Sequence, residues 1–238
     1  MNFDRRSDLT PAAHAMLAQY DEVVRKLVGP EYPYPIRMRE WELWRILTAL
    51  QDAQPEDRIL DVGAFNTYLG AYLAQRYPLV TVSDLLSQRC LKSLLRRLHL
   101  APQKPTEAPY FRWKKVMRQA GVEVRSLNAA NLAVPDASFD HVIALSVIEH
   151  IPQVEQAVAE LFRVLAPGGK LLLTTDCAPE PKPYAKGVRY FSVAELERMF
   201  ASYPVTSLRN QPDFSRENWC YDQGRPVVTA FIEITKPR

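Results

Sequence analysis

The sequence predicts an α/β protein built on a doubly wound, seven-stranded and mostly parallel sheet. From residue 58 onward, short apolar segments alternate with amphipathic ones, as expected when parallel strands are covered by helices on both faces. The last two strand-like segments, 204–209 and 226–235, have no helix between them and predict a C-terminal antiparallel hairpin. A chain of 238 residues suits one domain with additions.

Two helices precede the sheet and form a predicted N-terminal helical extension, residues 1–55. Thr10 is a typical N-cap, a proline follows at the first helical position, and Gly29 ends the segment, so a helix is expected over 9–29. The segment 37–50 has its large apolar and aromatic residues at helical spacing, which predicts a second helix with an aromatic face.

The core is predicted over residues 56–238, so that the chain, 1–238, is a single domain. Its parallel strands are expected at 58–62, 79–83, 122–127, 141–146 and 170–175. Helices are expected at 68–77, 154–165 and 191–200, the last with Ser192 and Glu195 spaced as a capping box. Residues 87–120 exceed the length that a strand-to-strand crossover requires and form a predicted insertion.

The composition argues against several classes of protein. The net charge of +3 is too small to indicate a nucleic-acid partner by itself. Cys90, Cys177 and Cys220 are widely spaced and form no C-x-x-C pair, so no disulfide framework or zinc site is expected, and a reduced, cytoplasmic protein fits best. No apolar run reaches the roughly 18–20 residues of a membrane span, and the polar start lacks the apolar core of a signal peptide.

Polar residues and glycine follow the predicted strands, at the edge where doubly wound sheets bind ligands. The loop after the first strand reads DVGAFNT. A dinucleotide cradle G-x-G-x-x-G, read from Gly63, requires glycines where Phe65 and Tyr68 stand, and no P-loop motif occurs. A nucleoside cofactor without phosphates needs a tight turn and a carboxylate for its ribose, and Asp84, 21 residues after Gly63, is placed for that contact. The alternative is that Asp84 is a surface turn residue.

Longer motifs carry a family resemblance across residues 58–200. The specific part is LAVPDASFDHVIALSVIEHI, followed by LAPGG as the expected turn into the fifth strand. Together with RILDVGAFNTYLGAYLA and VTVSDL, they resemble the class I S-adenosylmethionine-dependent methyltransferases of the small-molecule branch. The resemblance implies a Rossmann-like methyltransferase fold, with S-adenosyl-L-methionine as the cofactor and S-adenosyl-L-homocysteine as its product.

The resemblance implies cofactor contacts after the first two strands. Asp61, Gly63 and Ala64 correspond to the loop that the family places at the methionine tail. Asp84 corresponds to the acidic residue that binds the ribose hydroxyls, and Leu85 to the residue that packs on the adenine.

Further contacts are implied after the third and fourth strands. Asn128 stands where the family commonly has an aspartate that contacts the adenine amino group, with Ala129 beside it, and an amide oxygen accepts a weaker, neutral hydrogen bond. Ser146 corresponds to a residue that flanks the methionine moiety. Phe65 and Thr67 replace two glycines that are usual in the family, so the loss of cofactor binding is the alternative.

His150 is the candidate catalytic base. Methyl transfer from a sulfonium depends mainly on in-line alignment of the nucleophile, plus removal of a proton where the nucleophile is a hydroxyl. His150 follows the fourth strand in the motif SVIEHI, and imidazole is the side chain that titrates near neutral pH. A structural histidine that orients the loop is the competing interpretation.

The predicted insertion is basic. Between residues 87 and 118 a single acid, Glu107, stands against the cations Arg89, Lys92, Arg96, Arg97, Lys104, Arg112, Lys114, Lys115 and Arg118. A field of this sign would attract an anionic small molecule as the methyl acceptor. The alternative is a solvated helix face, and the interleaved Tyr110, Phe111 and Trp113 also leave RNA open.

Segments outside the family motifs are expected to wall the acceptor site. The candidate acceptor contacts are Trp41, Tyr184, Arg189, Tyr190, Trp219 and Tyr221. Core packing explains each of the aromatic residues nearly as well.

The sequence therefore predicts an S-adenosylmethionine-dependent methyltransferase that methylates an oxygen (or amine) of a small, anionic metabolite by in-line displacement. Base-methylating enzymes commonly carry [DN]-P-P-[YF] where this chain has SVIEH, and no Pro-Cys pair occurs, so a nucleic-acid partner is not expected. The alternatives are a non-catalytic Rossmann-like binding protein and an RNA methyltransferase. The acceptor's identity and the oligomeric state stay open.

Overall fold

The computed structural model describes residues 1–29, 39–65, 67–85, 107–185, 187–206, 210–219 and 226–238. Its strands are β1 (Asn2–Phe3), β2 (Ile59–Val62), β3 (Val80–Ser83), β4 (Glu123–Arg125), β5 (Phe139–Leu145), β6 (Leu165–Cys177), β7 (Lys182–Ala185), β8 (Val188–Tyr190) and β9 (Val228–Thr235). Its helices are α1 (Pro11–Val28), α2 (Glu40–Ala49), α3 (Leu69–Leu73), α4 (Glu107–Gln119), α5 (Val154–Arg163) and α6 (Val193–Phe200). Most of the predicted insertion, the start of the second predicted helix, Cys90, Cys220 and Tyr221 lie outside this description.

The main sheet has, within these residues, seven strands in the order β1-β9-β6-β5-β2-β3-β4. Strand β2 pairs in parallel with β3 on one side and with β5 on the other, and β4 and β6 extend these two sides in parallel. Strand β9 is antiparallel to β6. Because the chain fills one side of β2 before it crosses to the other, a crevice opens at the carboxyl ends of β2 and β5. The predicted doubly wound, mostly parallel sheet is confirmed.

Two apolar layers cover the faces of this sheet. Along β2, Ile59 packs with the side chains of α1, α2, α3 and α4, whereas Leu60 packs with those of α5 and α6. Both residues are fully buried, as are their neighbours on β5. Successive side chains of a strand point to opposite faces, so near-continuous apolar strands require cover on both sides.

The predicted helix ends are present. The Thr10 side chain accepts a hydrogen bond from the backbone N–H of Ala13, and Gly29, with φ of 91°, follows the last turn of α1. Ser192 and Glu195 form the reciprocal capping box at the start of α6. The sequence located these ends because caps depend on local chemistry alone.

The antiparallel edge of the sheet differs in detail from the sequence prediction. Asn2 and Phe3 fall within the predicted helical extension, but they form β1 and pair antiparallel with β9. In the predicted strand 204–209, Val205 makes a single antiparallel bridge to Ile234, and residues 207–209 are not described. The predicted antiparallel hairpin is present as β7–β8, at 182–190 rather than at the last two strand-like segments.

The segment LAPGG belongs to β6 itself and is not a turn before it. Its second glycine, Gly169, lies where an added Cβ would be 2.5 Å from the carbonyl oxygen of Asp140. The pairing of β5 with β6 shifts register beside this point, between Phe139 and His141. Glycine therefore allows two backbones to approach at an irregularity in the sheet.

In the part of the chain that the structure describes, no helix combines the length and apolar character needed to cross a membrane.

Candidate functional site

A cavity of about 550 Å³ opens at the carboxyl ends of β2, β3 and β5. Its wall contains these candidate residues: Gly63, Asp84, Leu85, Asn128, Ala129, Ser146 and His150. They come from four separate loops, which the crevice of the doubly wound sheet brings together. Phe65 and Thr67 lie on the same wall.

Gly63 begins the loop after β2 in a conformation that other residues rarely adopt. Its φ is 69°, and an added Cβ would lie 2.6 Å from a methyl carbon of Val147. The loop continues through Ala64, whose backbone N–H donates to the carbonyl of Ser83 at 3.0 Å. The β2 loop is thus pressed against the loop that follows β5, and only glycine fits at the contact.

Asp61 lies beneath this loop and does not reach the cavity wall. The side chain is 1% exposed, and its Oδ2 atom has no hydrogen-bond partner among the described residues. Burial raises the pKa of the carboxyl from its ordinary 3.8 to about 8. A buried acceptor without a partner is costly, so this carboxyl would be stabilised by a cationic or N–H-bearing ligand.

Helix α4 holds the loop that carries Phe65 and Thr67. The indole Nε1 of Trp113 donates to the carbonyl oxygen of Thr67 at 2.6 Å. The ring centroid of Phe65 lies 5.3 Å from that of Tyr110 and 5.8 Å from that of Trp113, both edge to face. We call Phe65, Tyr110 and Trp113 the aromatic clamp. At these positions the family usually has glycines. Here the side-chain contacts of the clamp hold the loop in place.

Ser146 is tied to the N-terminal helices by a buried carboxylate. Its hydroxyl donates to Glu42 of α2, at 3.1 Å from each carboxylate oxygen. Glu42, 4% exposed, also accepts from the hydroxyls of Thr174 and Thr229 and pairs with Arg39 at 3.1 Å. Ser146 itself has a φ of 49°, a strained value for serine. The backbone of Ser146 therefore lines the cavity, while the Ser146 hydroxyl points to Glu42.

Further acids lie behind the cavity. Glu149 is fully buried and accepts from the Thr175 hydroxyl at 3.0 Å, and Asp176 is 3% exposed. Burial, followed by the charge of Glu42, raises the pKa of Glu149 well above its ordinary range. Burial and then the charge of Glu149 do the same for Asp176. No group of three or more His, Cys, Asp or Glu side chains among the described residues is arranged to hold a metal ion.

His150 lies in the short helical turn after β5, where it lines the cavity and remains exposed. Its Nδ1 atom is 2.7 Å from the carbonyl oxygen of Gly187 in the β7–β8 hairpin. Asn128 is also exposed, and its Oδ1 already accepts from the Ala130 N–H at 3.1 Å. One lone pair of that oxygen stays available to a ligand.

Among the described residues, the candidate acceptor contacts do not line the cavity. Trp41 is 1% exposed and packs edge to face on Phe231, so the core explains it. The Trp219 indole donates to the carbonyl of Phe214 at 2.7 Å, away from the cavity. Tyr184 is exposed on the hairpin.

The two remaining candidates belong to the same hairpin. The Arg189 guanidinium lies over the ring of Phe191 at 4.8 Å, and the Lys182 amine lies 5.5 Å from the ring centroid of Tyr190. Of the candidate acceptor contacts, Tyr221 lies outside the described residues.

Two residues important to the site were missed from the sequence. Arg39 lines the cavity, and Glu42 anchors Ser146. The only signal for Glu42 was a charge in the apolar stretch EWELW, which indicates a buried, paired acid but not its partners. The basic residues Lys114, Lys115 and Arg118 of α4 surround a separate depression of about 380 Å³.

Comparison with known proteins places these features in a family. The family model described as a methyltransferase domain matches residues 60–173, which include β2, β3, β5 and most of β6. A demethylmenaquinone methyltransferase of Symbiobacterium thermophilum is 27% identical over 156 residues, 63% of this chain and 54% of the relative. These matches support a class I S-adenosylmethionine-dependent methyltransferase domain in this chain.

Two further proteins are similar to this chain. A phosphatidylethanolamine N-methyltransferase of Cereibacter sphaeroides is 33% identical over 106 residues, 44% of this chain and 47% of the relative. The solved structure of Haemonchus contortus phosphoethanolamine N-methyltransferase 2 with S-adenosyl-L-methionine has the same fold, with a TM-score of 0.58 and 16% identity over 83% of this chain and 52% of that one. The chain spans about half the length of these two curated relatives.

The aromatic clamp predicts an effect on cofactor affinity. Trp113→Phe keeps the ring in the clamp but removes the N–H that binds the Thr67 carbonyl, so the affinity for S-adenosylhomocysteine should fall about 2–10-fold. Isothermal titration calorimetry measures this change. Trp219→Phe removes an equivalent indole-to-carbonyl bond outside the cavity and is the matched control. Equal affinities in the two variants would contradict the role of the clamp.

The buried Asp61 predicts a pH-dependent stability. The pKa of Asp61 is higher in the folded protein than in the unfolded chain. Stability therefore falls as the pH rises from about 4 to about 8, because over this range only the unfolded state releases the proton. Asp61→Asn removes this effect and should stabilise the ligand-free protein more at pH 8.5 than at pH 5, by at most about 1.4 kcal/mol per pH unit.

Urea unfolding at the two pH values measures the difference. The exposed Asp52 provides the control, since Asp52→Asn should leave the pH dependence as in the wild type. A constant difference between wild type and Asp61→Asn across this range would show that the Asp61 carboxyl is ionised in the folded protein.

Proposed function

We propose that the protein transfers a methyl group from S-adenosylmethionine to an oxygen (or amine) of a small molecule. The observation that carries this proposal is the convergence of the loops after β2, β3 and β5 on one cavity, with Gly63, Asp84 and Ser146 on its wall. The same loops lack a phosphate cradle, which disfavours dinucleotides.

The residues present fit a cationic nucleoside cofactor. Asp61 supplies a buried carboxyl with an unpartnered oxygen beneath the Gly63 turn, as the ammonium of a methionine tail requires. Asp84 supplies a half-buried carboxylate at the next strand end, suited to ribose hydroxyls. Leu85, 47% exposed beside it, offers an apolar surface for a base.

The cofactor, when bound, supplies a methyl group on a positively charged sulfur that departs as a neutral thioether. The protein then needs to hold the nucleophile in line and to exclude water. Arg39 and His150 are the cavity residues suited to the acceptor, Arg39 as a cation for an anionic group and His150 as a proton acceptor. The named acceptors of the relatives, a demethylated menaquinone and a phosphatidylethanolamine, support a small acceptor but differ from each other.

Calorimetric titration with S-adenosylmethionine and S-adenosylhomocysteine tests the proposal, and binding of both is expected. Asp84→Asn keeps the shape but loses the charge, so affinity should fall about 10–100-fold. Asp52→Asn, on the exposed surface, should bind as the wild type does. No heat with either ligand at millimolar concentration would refute the proposal.

A non-catalytic binding protein is the competing function, motivated by Phe65 and Thr67. It predicts cofactor binding without any release of S-adenosylhomocysteine. Since the clamp holds these two residues in the cavity wall, their presence does not itself argue for a decayed site.

A further inference from the structure

The β7–β8 hairpin contacts one ring nitrogen of His150. The Nδ1 atom lies 2.7 Å from the carbonyl oxygen of Gly187. A carbonyl oxygen only accepts hydrogen bonds, so Nδ1 must be the donor. A neutral imidazole has a single N–H, which leaves the lone pair on Nε2. Nε2 has no hydrogen-bond partner among the described residues.

The hairpin is attached to the sheet on which the cavity is built. The backbone N–H of Phe191, directly after β8, donates to the carbonyl of Asp176 in β6, and the N–H of Ala178 donates to the carbonyl of Phe191. The hydroxyl of Tyr184 in β7 reaches the carbonyl of His150 at 3.4 Å. These contacts fix the position of Gly187 relative to the turn that carries His150.

We propose that the Gly187 carbonyl is a positioning group that holds His150 in the Nδ1–H tautomer, so that Nε2 takes the proton from a hydroxyl acceptor. This inference rests on the proposed function and narrows it to hydroxyl-bearing small molecules. The acceptor O–H bond breaks and its proton passes to Nε2, while the oxygen gains the methyl group and the electron pair of the S–CH3 bond stays on sulfur. The imidazolium then returns the proton to solvent, to which His150 is exposed.

Charged groups from β6, α2, the β7–β8 hairpin and the cavity wall surround the turn that carries His150. Asp176 on β6 and Glu149 on the same turn are the nearby acids, Glu42 of α2 lies behind them, and Arg39 shares the cavity wall. A positive charge on His150 lowers the pKa of Asp176, which means that the imidazolium and the Asp176 carboxylate attract each other. Lys182 of the hairpin is directed to the ring of Tyr190.

The tautomer is measured directly by long-range ¹H–¹⁵N NMR of the whole protein labelled with ¹⁵N-histidine. The resonance of His150 is assigned by its loss in His150→Asn. We expect the Nδ1–H tautomer in the ligand-free wild type at pH values where the ring is neutral. A dominant Nε2–H tautomer would overturn the proposal.

The Gly187→Ala variant tests whether the carbonyl is the cause. Gly187 has a φ of +91° with open space around it, so an added methyl group strains the backbone and turns the carbonyl without a steric clash. The Nδ1–H to Nε2–H ratio should fall about 2–10-fold, the value of one hydrogen bond. Gly121→Ala, at φ of +81° and also in open space, is the matched control and should leave the ratio unchanged. Equal ratios in both variants would overturn the positioning role.

Addition of S-adenosylhomocysteine separates this inference from the proposed function. If Nε2 serves the site, the bound product should shift the Nε2 resonance of the wild type, and an unmoved resonance in a saturated sample would overturn the base role. Absence of calorimetric binding, in contrast, refutes the proposed function and the base role together, while the tautomer assignment rests on the apo spectrum alone.

Discussion

The buried carboxylate of Glu42 is the interaction on which the site depends. Moving a carboxylate out of water costs several kcal/mol unless hydrogen bonds and an opposite charge replace the solvent. Here the replacements come from Ser146 after β5, Thr174 in β6, Thr229 in β9 and Arg39 before α2. A helix outside the family motifs and three neighbouring strands must therefore be in register before this carboxylate is satisfied. Helix α2 therefore helps to hold the site together.

The sequence predicted the sheet well because apolar periodicity and caps are local signals. Thr10 and Ser192 identified their helix starts, and the alternation of apolar segments identified the parallel strands. It failed at β1, since Asn2 and Phe3 carry too few residues to show a period, and their pairing with β9 joins opposite ends of the chain. The prediction also failed at Glu42, because its partners are distant in the sequence. A buried acid can be recognised from its neighbours, but its hydroxyl partners are set by the tertiary fold.

Phe65 and Thr67 show how the loop after β2 can lose its usual glycines and still be held in place by other contacts. Glycines in such a loop supply conformational freedom and room, but they also cost entropy on folding. In this chain the Trp113 indole holds the Thr67 carbonyl, and the Phe65 ring packs on Tyr110 and Trp113. The loop is therefore held by helix α4, which belongs to the predicted basic insertion. A sequence motif describes only the residues of the loop. It cannot reveal that Trp113, more than forty residues further along the chain, holds the Thr67 carbonyl.

A carbonyl partner and a carboxylate partner have different consequences for a catalytic histidine. A carboxylate against Nδ1 orients the ring but also favours the imidazolium, which has no lone pair to accept a proton. The Gly187 carbonyl orients the ring with a neutral dipole. Glu149 and Asp176, two acids near this turn, have pKa values raised by burial, so burial favours their neutral forms. Once a proton reaches the ring, the attraction between the imidazolium and Asp176 favours ionisation of that acid. Under the proposed role of His150, this arrangement leaves the base able to accept a proton and then stabilises its positive charge.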